Sequence, residues 1–344
     1  MKVHTLDIDS SHRDPTKNGN PNDYVVSLET PIYDISQIRL VSARIPTPQL
    51  LICDNNNYFQ FRVIEQNGSQ STHGLSLPIG NYTGSSLAAV LQQVGNYNFG
   101  VTYDATKNTF QMATPIMNTN TNQALQSLMF LFKTGQNGYD DSNSGHTTPH
   151  QTLGLPAKDI DMAGGDFGAS NFDGPNSLVI RISSGSEELN QTLPTSGQTP
   201  YYTGHILLPG GKSFVNVNGR DDKVTHEFHS GSLKSIKDLR IQFFYMSHGR
   251  LIPYDFRYQD HVLKFEITCS TDKLENLSKQ KTPLSRFDLP PPISIPEMEN
   301  PYRWKEYLSI VGIVLLGLVV ILITTKPRSQ IAVKLLPVPP KLTG

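Results

Sequence analysis

The chain has 344 residues, 17% of them charged, and 29 lysines and arginines balance 30 aspartates and glutamates to a formal net charge of -1. That balance excludes the strongly basic face of a nucleic-acid-binding domain, and the two cysteines, Cys53 and Cys269, cannot by themselves build a disulfide framework or a metal site. With 26 glycines, 24 prolines and many Asn, Ser and Thr, the chain favours turns and short strands, so the expected fold class is mainly β.

Residues 1–65 read as strands punctuated by turns. Val3 to Asp9 is extended, and Asp7 and Asp9 fall on one side of it. Residues 10–23 (SSHRDPTKNGNPND) carry Asp-Pro, Asn-Gly and Asn-Pro steps that favour turns. Arg13 is expected to pin this loop by pairing with Asp7, Asp9 or Asp14. Tyr24, Val26 and Leu28 then alternate with polar residues; Ile38, Leu40 and Ala43 to Ile45 make the next strand, stopped by Pro46 and Pro48, and Tyr58 to Ile64 another.

Two blocks of this opening, LDIDSSHRD at 6–14 and NPNDYVVSL at 20–28, resemble the N-terminal signature of minor capsid proteins of nucleocytoplasmic large DNA viruses, of chlorovirus or iridovirus type. The residues that carry the resemblance are Asp7, Asp9, Ser10, Ser11, Arg13, Asp14, Asn20, Pro21, Asn22 and Tyr24. It implies a structural module and no chemistry.

Residues 75–155 change character. Leu87, Val90, Leu91 and Val94 recur at helical spacing, with Thr83 or Ser85 as N-cap and Gly95 at the C-terminal end. Phe99 to Tyr103 and Thr109 to Ala113 flank a turn and read as a hairpin. Ala124 to Phe132 is predicted as a second short helix carrying Leu125, Leu128, Met129 and Phe132 on one face. The runs GNYTGSSLAAVLQ, YDATKNTFQM and HQTLGLP resemble an element inserted in the same capsid family. Residues 134–176 hold too few large apolar side chains to bury themselves and are expected to be loops ordered by their neighbours.

Strands resume at Leu178–Ile182, Thr203–Leu208, Ser213–Val217, Lys223–Phe228, Leu239–Met246 and Val262–Thr268. Residues 236–268, with their Gly turn and Asp-Phe step, resemble the family's terminal hairpin. Roughly ten strands suffice for a jelly-roll-like β-sandwich. The predicted organisation is a discontinuous sandwich of residues 1–74 and 166–271 with a small α/β insertion at 75–165; two consecutive β domains are the alternative.

Residues 272–306 form a Pro-rich connector, extended at up to about 3 Å per residue. A transmembrane helix is expected at 307–325, where nineteen residues reach roughly 28 Å, close to the thickness of a bilayer core. Its anchoring residues are Leu308, Ile310, Val311, Ile313, Val314, Leu315, Leu316, Leu318, Val319, Val320, Ile321, Leu322 and Ile323, with Trp304 and Tyr307 at one interface and Lys326 and Arg328 at the other. A short basic tail, 326–344, follows. The opening residues lack the apolar core of a signal peptide, so a tail-anchored chain is expected.

No catalytic, cofactor-binding or metal-ligating set is assigned. Residues 208–213 (LPGGKS) lack the first glycine of a phosphate loop, and His226-Glu227-Phe228-His229 lacks the gap of a zinc-protease helix and reads as strand. The expected function is non-enzymatic: a minor capsid protein tethering the outer shell to an internal virion membrane, with the major capsid protein, other minor capsid proteins and the lipid bilayer as partners. A lectin-like attachment protein and a membrane-bound hydrolase are the alternatives.

Overall fold

The structure, a computed structural model, describes residues 2–270 apart from 18, 114, 143–144, 163–165, 186, 191, 194–199 and 229–234, together with residues 303–324. The chain falls into two compact units, Met1–Leu277 and Ser278–Gly344. The first is mainly β, as its composition predicts.

Two antiparallel sheets share one apolar cluster, the arrangement of a β-sandwich. In the first, Lys2–Asp9 pairs with Val262–Cys269, which pairs with Ile35–Pro46; Phe214–Asn218 and Thr225–Glu227 then share the far side of that long strand. In the second, the order is Glu187–Glu188, Ser177–Ser184, Ile236–Ser247, Asp23–Ile32, with Gly204–Leu207 and Arg250–Pro253 alongside. Period-two alternation places Leu239, Ile241, Phe243 and Tyr245 inward from Ile236–Ser247.

Strand Ile35–Pro46 buries Ile38 and Leu40 but then Ala43 and Ile45, a change of parity. Its register against Val262–Cys269 jumps from Ser42 opposite Lys264 to Leu40 opposite Phe265, so Val41 is the extra residue of a β-bulge. At that point its other neighbour changes from Phe214–Asn218 to Thr225–Glu227. Gly219 makes the crossing: its amide donates to the Val41 carbonyl at 3.0 Å, and a Cβ there would lie 2.5 Å from the Leu40 carbonyl.

A second apolar cluster is built from residues 52–167. One sheet runs Gln70–Ser76, Tyr58–Glu65, Gln123–Leu131, Met117–Asn118, Tyr97–Asn98, Gln93–Val94, and a smaller one runs Asp166–Ala169, Thr109–Met112, Val101–Asp104. Helix Gly84–Gln92 buries Leu87, Ala88 and Leu91. Thr83 is its N-cap: the Ser86 amide donates to Thr83 Oγ1 at 3.3 Å while the Thr83 amide donates back to Ser86 Oγ at 2.9 Å, a capping box closed by serine. The helix stops at Gln92. Gly95, at φ +56°, turns the tight hairpin that follows instead of capping the helix. The hairpin predicted at 99–113 forms as Val101–Asp104 with Thr109–Met112.

The helix predicted at Ala124–Phe132 is a strand, Gln123–Leu131, paired with Tyr58–Glu65. Its register slips between Leu125 and Ser127, and this bulge puts Leu125 and Leu128 on the same face of the sheet. A three-residue interval between buried leucines then imitates a helical stripe. Described parts of the segment 134–176 are more regular than the loops expected there. They contribute Asp159–Asp161 and Asp166–Ala169 to the sheets and bury Leu153, Leu155, Met162 and Phe167.

In the second unit, the helix expected at 307–325 is present as Arg303–Thr324. Among the described residues no helix is long and apolar enough to cross a membrane, so the structure establishes a helix there and not a span. The connector up to residue 302, and the tail with Lys326 and Arg328, lie outside the described residues.

Candidate functional site

The signature residues of the first strand and its loop converge on the start of the last strand. Asp9 ends strand Lys2–Asp9 and accepts the Ser11 amide at 2.9 Å, capping the single 3-10 turn Ser10–His12. This hydrogen bond, with one from the Ser11 hydroxyl, holds the Asp9 carboxyl below its ordinary pKa. Ser10 is fully buried. Its hydroxyl donates to Asp260 at 2.9 Å and accepts the His261 amide at 2.9 Å, while its own amide donates to the His261 carbonyl at 3.0 Å.

Arg13 pairs with none of the three carboxylates expected from the sequence. Its Nη1 donates to the Asp260 carboxylate and, at 2.6 Å, to the Ser10 carbonyl. Asp7 instead faces Lys264 across the strand pair, with Nζ 3.6 Å away, and Asp14 accepts the amide and hydroxyl of Thr16. Asp7 and Asp9 therefore do not form a carboxylate pair. Asp260 and His261 are the residues that sequence reasoning passed over; they lie inside the YDFRYQDH run, where only the Asp-Phe step stood out.

Tyr24 closes the cluster from the other sheet. Its hydroxyl meets His261 Nε2 at 2.9 Å in a site where both side chains are buried. Burial pushes the Tyr24 phenol well above its ordinary pKa and drives the His261 imidazole down to about 3. The ring of His261 lies among Phe243 and Phe256, 4.7 and 5.0 Å between centroids. A neutral imidazole clasped in aromatic packing, with an ion pair beside it, ties the chain's opening loop to its final strand.

Beside this cluster lies a cleft of about 510 Å³, walled by residues 20–22, 53–55 and 253–258. Asn20, Pro21 and Asn22 of the signature thus face the Tyr254-Asp255-Phe256 step. Asn55 fastens two of the walls by donating its amide to the Pro253 carbonyl at 2.8 Å. Arg257 and Tyr258 sit at φ +48° and +61°, the left-handed region that costs a non-glycine residue of order 1 kcal/mol or more. Asp255 steadies the turn by accepting the Arg257 amide at 2.8 Å. Tyr258 is 75% exposed at the rim. Cys53 is buried and unoxidised, and burial lifts its thiol to about 11, so it is not an activated nucleophile.

His226 lies on strand Thr225–Glu227 with its ring 4.6 Å from Phe228, as the strand reading requires. Among the described residues no group of three or more His, Cys, Asp or Glu side chains is placed to hold a metal ion.

Compared with known proteins, the sequence matches no family model and no curated protein. Among solved structures it is similar to the mavirus penton protein, at 10% identity and a TM-score of 0.30, covering 78% of this chain and 100% of that one. It is also similar to a chain of the Sputnik virophage, at 12% identity and a TM-score of 0.29, covering 78% and 98%. At these scores the likeness carries no argument about function.

Proposed function

We propose that the chain is a structural minor capsid protein of a large DNA virus, a jelly-roll-like sandwich with an inserted α/β element, that tethers the outer shell to the internal virion membrane and cements neighbouring capsid subunits. The observation that carries the tether is helix Arg303–Thr324. From Tyr307 to Leu322 each of its described side chains is uncharged and exposed, Ile313 and Leu316 to 72% and 69%. A helix apolar all round has no face for water, and a bilayer is the solvent that suits it. Trp304 at its start supports the interfacial placement, and Lys326 and Arg328 beyond its end complete the proposed anchor.

The shell-facing contact is proposed at the cleft rimmed by Tyr258, where a rigid aromatic stands on a turn fixed by its own hydrogen bonds. Confinement to a bilayer raises the effective concentration of such contacts, so weak individual affinities with the major capsid protein and other minor components are enough for assembly.

Flotation of the full chain with phospholipid vesicles tests the anchor. The wild-type chain is expected to rise with the vesicles, and a Val314→Arg, Leu318→Arg variant to stay at the bottom, since each buried arginine costs about 3 kcal/mol at mid-bilayer. A wild-type chain that stays soluble without detergent and never floats removes the tether. The exposed Tyr258 also suits a lectin-like attachment protein. Protease treatment of intact particles separates the two: cleavage of the β-rich part before the shell is breached points to attachment, and protection until then to tethering.

A further inference from the structure

His150 and His248 meet at the seam between the two apolar clusters. His150 belongs to the segment that packs on the second cluster, with its ring 6.1 Å from Phe132. His248 stands in the turn between strands Ile236–Ser247 and Arg250–Pro253 of the sandwich. The two imidazoles lie against each other, 4.1 Å between centroids and 38° between planes.

The rest of the seam is polar and equally specific. Thr147 Oγ1 reaches Ser247 Oγ at 2.7 Å and His248 Nε2 at 2.9 Å, and the hydroxyl and carbonyl of Thr148 both lie 3.1 Å from His150 Nδ1. Arg250 donates to three carbonyls of the facing segment, Asn137 at 3.1 Å and Gly138 and Asp141 at 2.8 Å each. The charged and titratable groups around the pair are Arg250, the Asp141 carboxylate, Tyr139 with its ring 6.2 Å from His248, and Tyr245 on the small cavity that His150 also lines. His248 is held at φ +44°, a strained conformation outside glycine.

We propose that the His150–His248 ring contact is an acid-released latch: protonation puts two imidazolium ions in contact beside the Arg250 guanidinium, and residues 145–152 lift away from the turn at 247–250. The latch needs no capsid role and is independent of the function proposed above. At neutral pH both rings are uncharged, and each keeps its polar contact, His248 Nε2 with the Thr147 hydroxyl and His150 Nδ1 with Thr148. Burial is the main reason the pair resists charging, holding His150 at about 4 and His248 at about 3, with Arg250 adding to both and the neighbouring imidazole adding to His248. Lifting the segment returns both to an ordinary imidazole pKa of about 6.5. Opening is therefore favoured as pH falls from 6.5, by roughly thirtyfold per histidine at pH 5 and several hundredfold for the pair as a ceiling.

Amide hydrogen exchange of the full chain in detergent, followed by mass spectrometry from pH 7.5 to 4.5 and corrected for intrinsic rates, reads the latch directly. Peptides covering 145–152 and 247–250 are expected to lose protection by at least about tenfold at pH 5 while those of Val262–Cys269 keep theirs. A His150→Gln, His248→Gln variant is expected to lose the pH dependence of that segment. Unchanged protection at 145–152 down to pH 4.5, or the same pH midpoint in the variant, overturns the proposal. If the variant does not fold, imidazole C2-proton exchange in the wild-type chain decides: midpoints for His150 and His248 well below the ordinary imidazole value of about 6.5 support the latch, and midpoints at that value overturn it.

Discussion

Gly154 shows how much a single position in this chain is constrained by its surroundings. Its φ is +71°, and a Cβ built on it would lie 2.2 Å from the Gly168 carbonyl oxygen, because the Gly168 amide donates to the Gly154 carbonyl at 2.8 Å. Gly154→Ala thus meets both a left-handed backbone and a backbone collision, and is expected to cost about 2–4 kcal/mol in urea denaturation. Gly174→Ala is the control. At φ +79° with open space around it, it carries only the conformational cost, about 1 kcal/mol. Equal losses for the two would mean that the close approach of 154 and 168 contributes nothing. A similar argument applies to Tyr24, whose hydroxyl is the partner of His261 Nε2 in a buried site. Tyr24→Phe leaves that nitrogen unpaired and is expected to cost about 1–3 kcal/mol, read as a shift of the denaturation midpoint.

At the scale of elements, the strand Gln123–Leu131 makes the sharpest distinction. On the helix first expected there, Leu128 and Met129 share an apolar stripe and their truncations cost similar amounts. On the observed strand they point to opposite faces, Leu128 fully buried against the second cluster and Met129 half-buried opposite Arg62 and Asp161. Leu128→Ala is expected to cost about 2–5 kcal/mol and Met129→Ala under about 1 kcal/mol, measured by the same denaturation. Equal costs would contradict the strand. The pairing of Lys2–Asp9 with Val262–Cys269 over eight residue pairs matters in another way. It closes the sandwich by zipping the first strand to the last, with Ser10, Arg13, Asp260 and His261 as the clasp at one end.

Over the whole molecule, pH is expected to act through buried imidazoles. His150, His248 and His261 are held neutral by burial, at about 4, 3 and 3. The folded chain binds fewer protons there than the unfolded chain, so their contribution is complete above the unfolded value of about 6.5 and declines as pH falls toward 3 to 4. Asp9 and Asp14 act at lower pH: hydrogen bonds hold both carboxyls below 3.8, so what they contribute is present above that value and is lost only beneath it. The urea midpoint of the full chain is therefore expected to fall steadily between pH 6.5 and 4.5. A midpoint constant across that range would show that the three histidines are hydrated in the folded chain.

Much of this was written in local pattern. Alternation located most sandwich strands, Thr83 or Ser85 and the leucines behind them located the first helix, and an uncharged run located the helix from residue 307, because each signal lies within a few residues of the backbone it shapes. Bulges defeated that reasoning. One extra residue near Gln126 made a strand look helical, and one at Val41 reversed which side chains face inward. The partners of Arg13, the meeting of residues 20–22 with 253–258, and the ring contact of His150 with His248 join positions about 100 to 250 residues apart. Sequence by itself determined most of the strands, the one short helix behind Thr83 or Ser85 and the uncharged run near the chain's end; only the tertiary structure decided where bulges fall and which charges and rings would meet, since that depends on how distant strands register and not on any local preference.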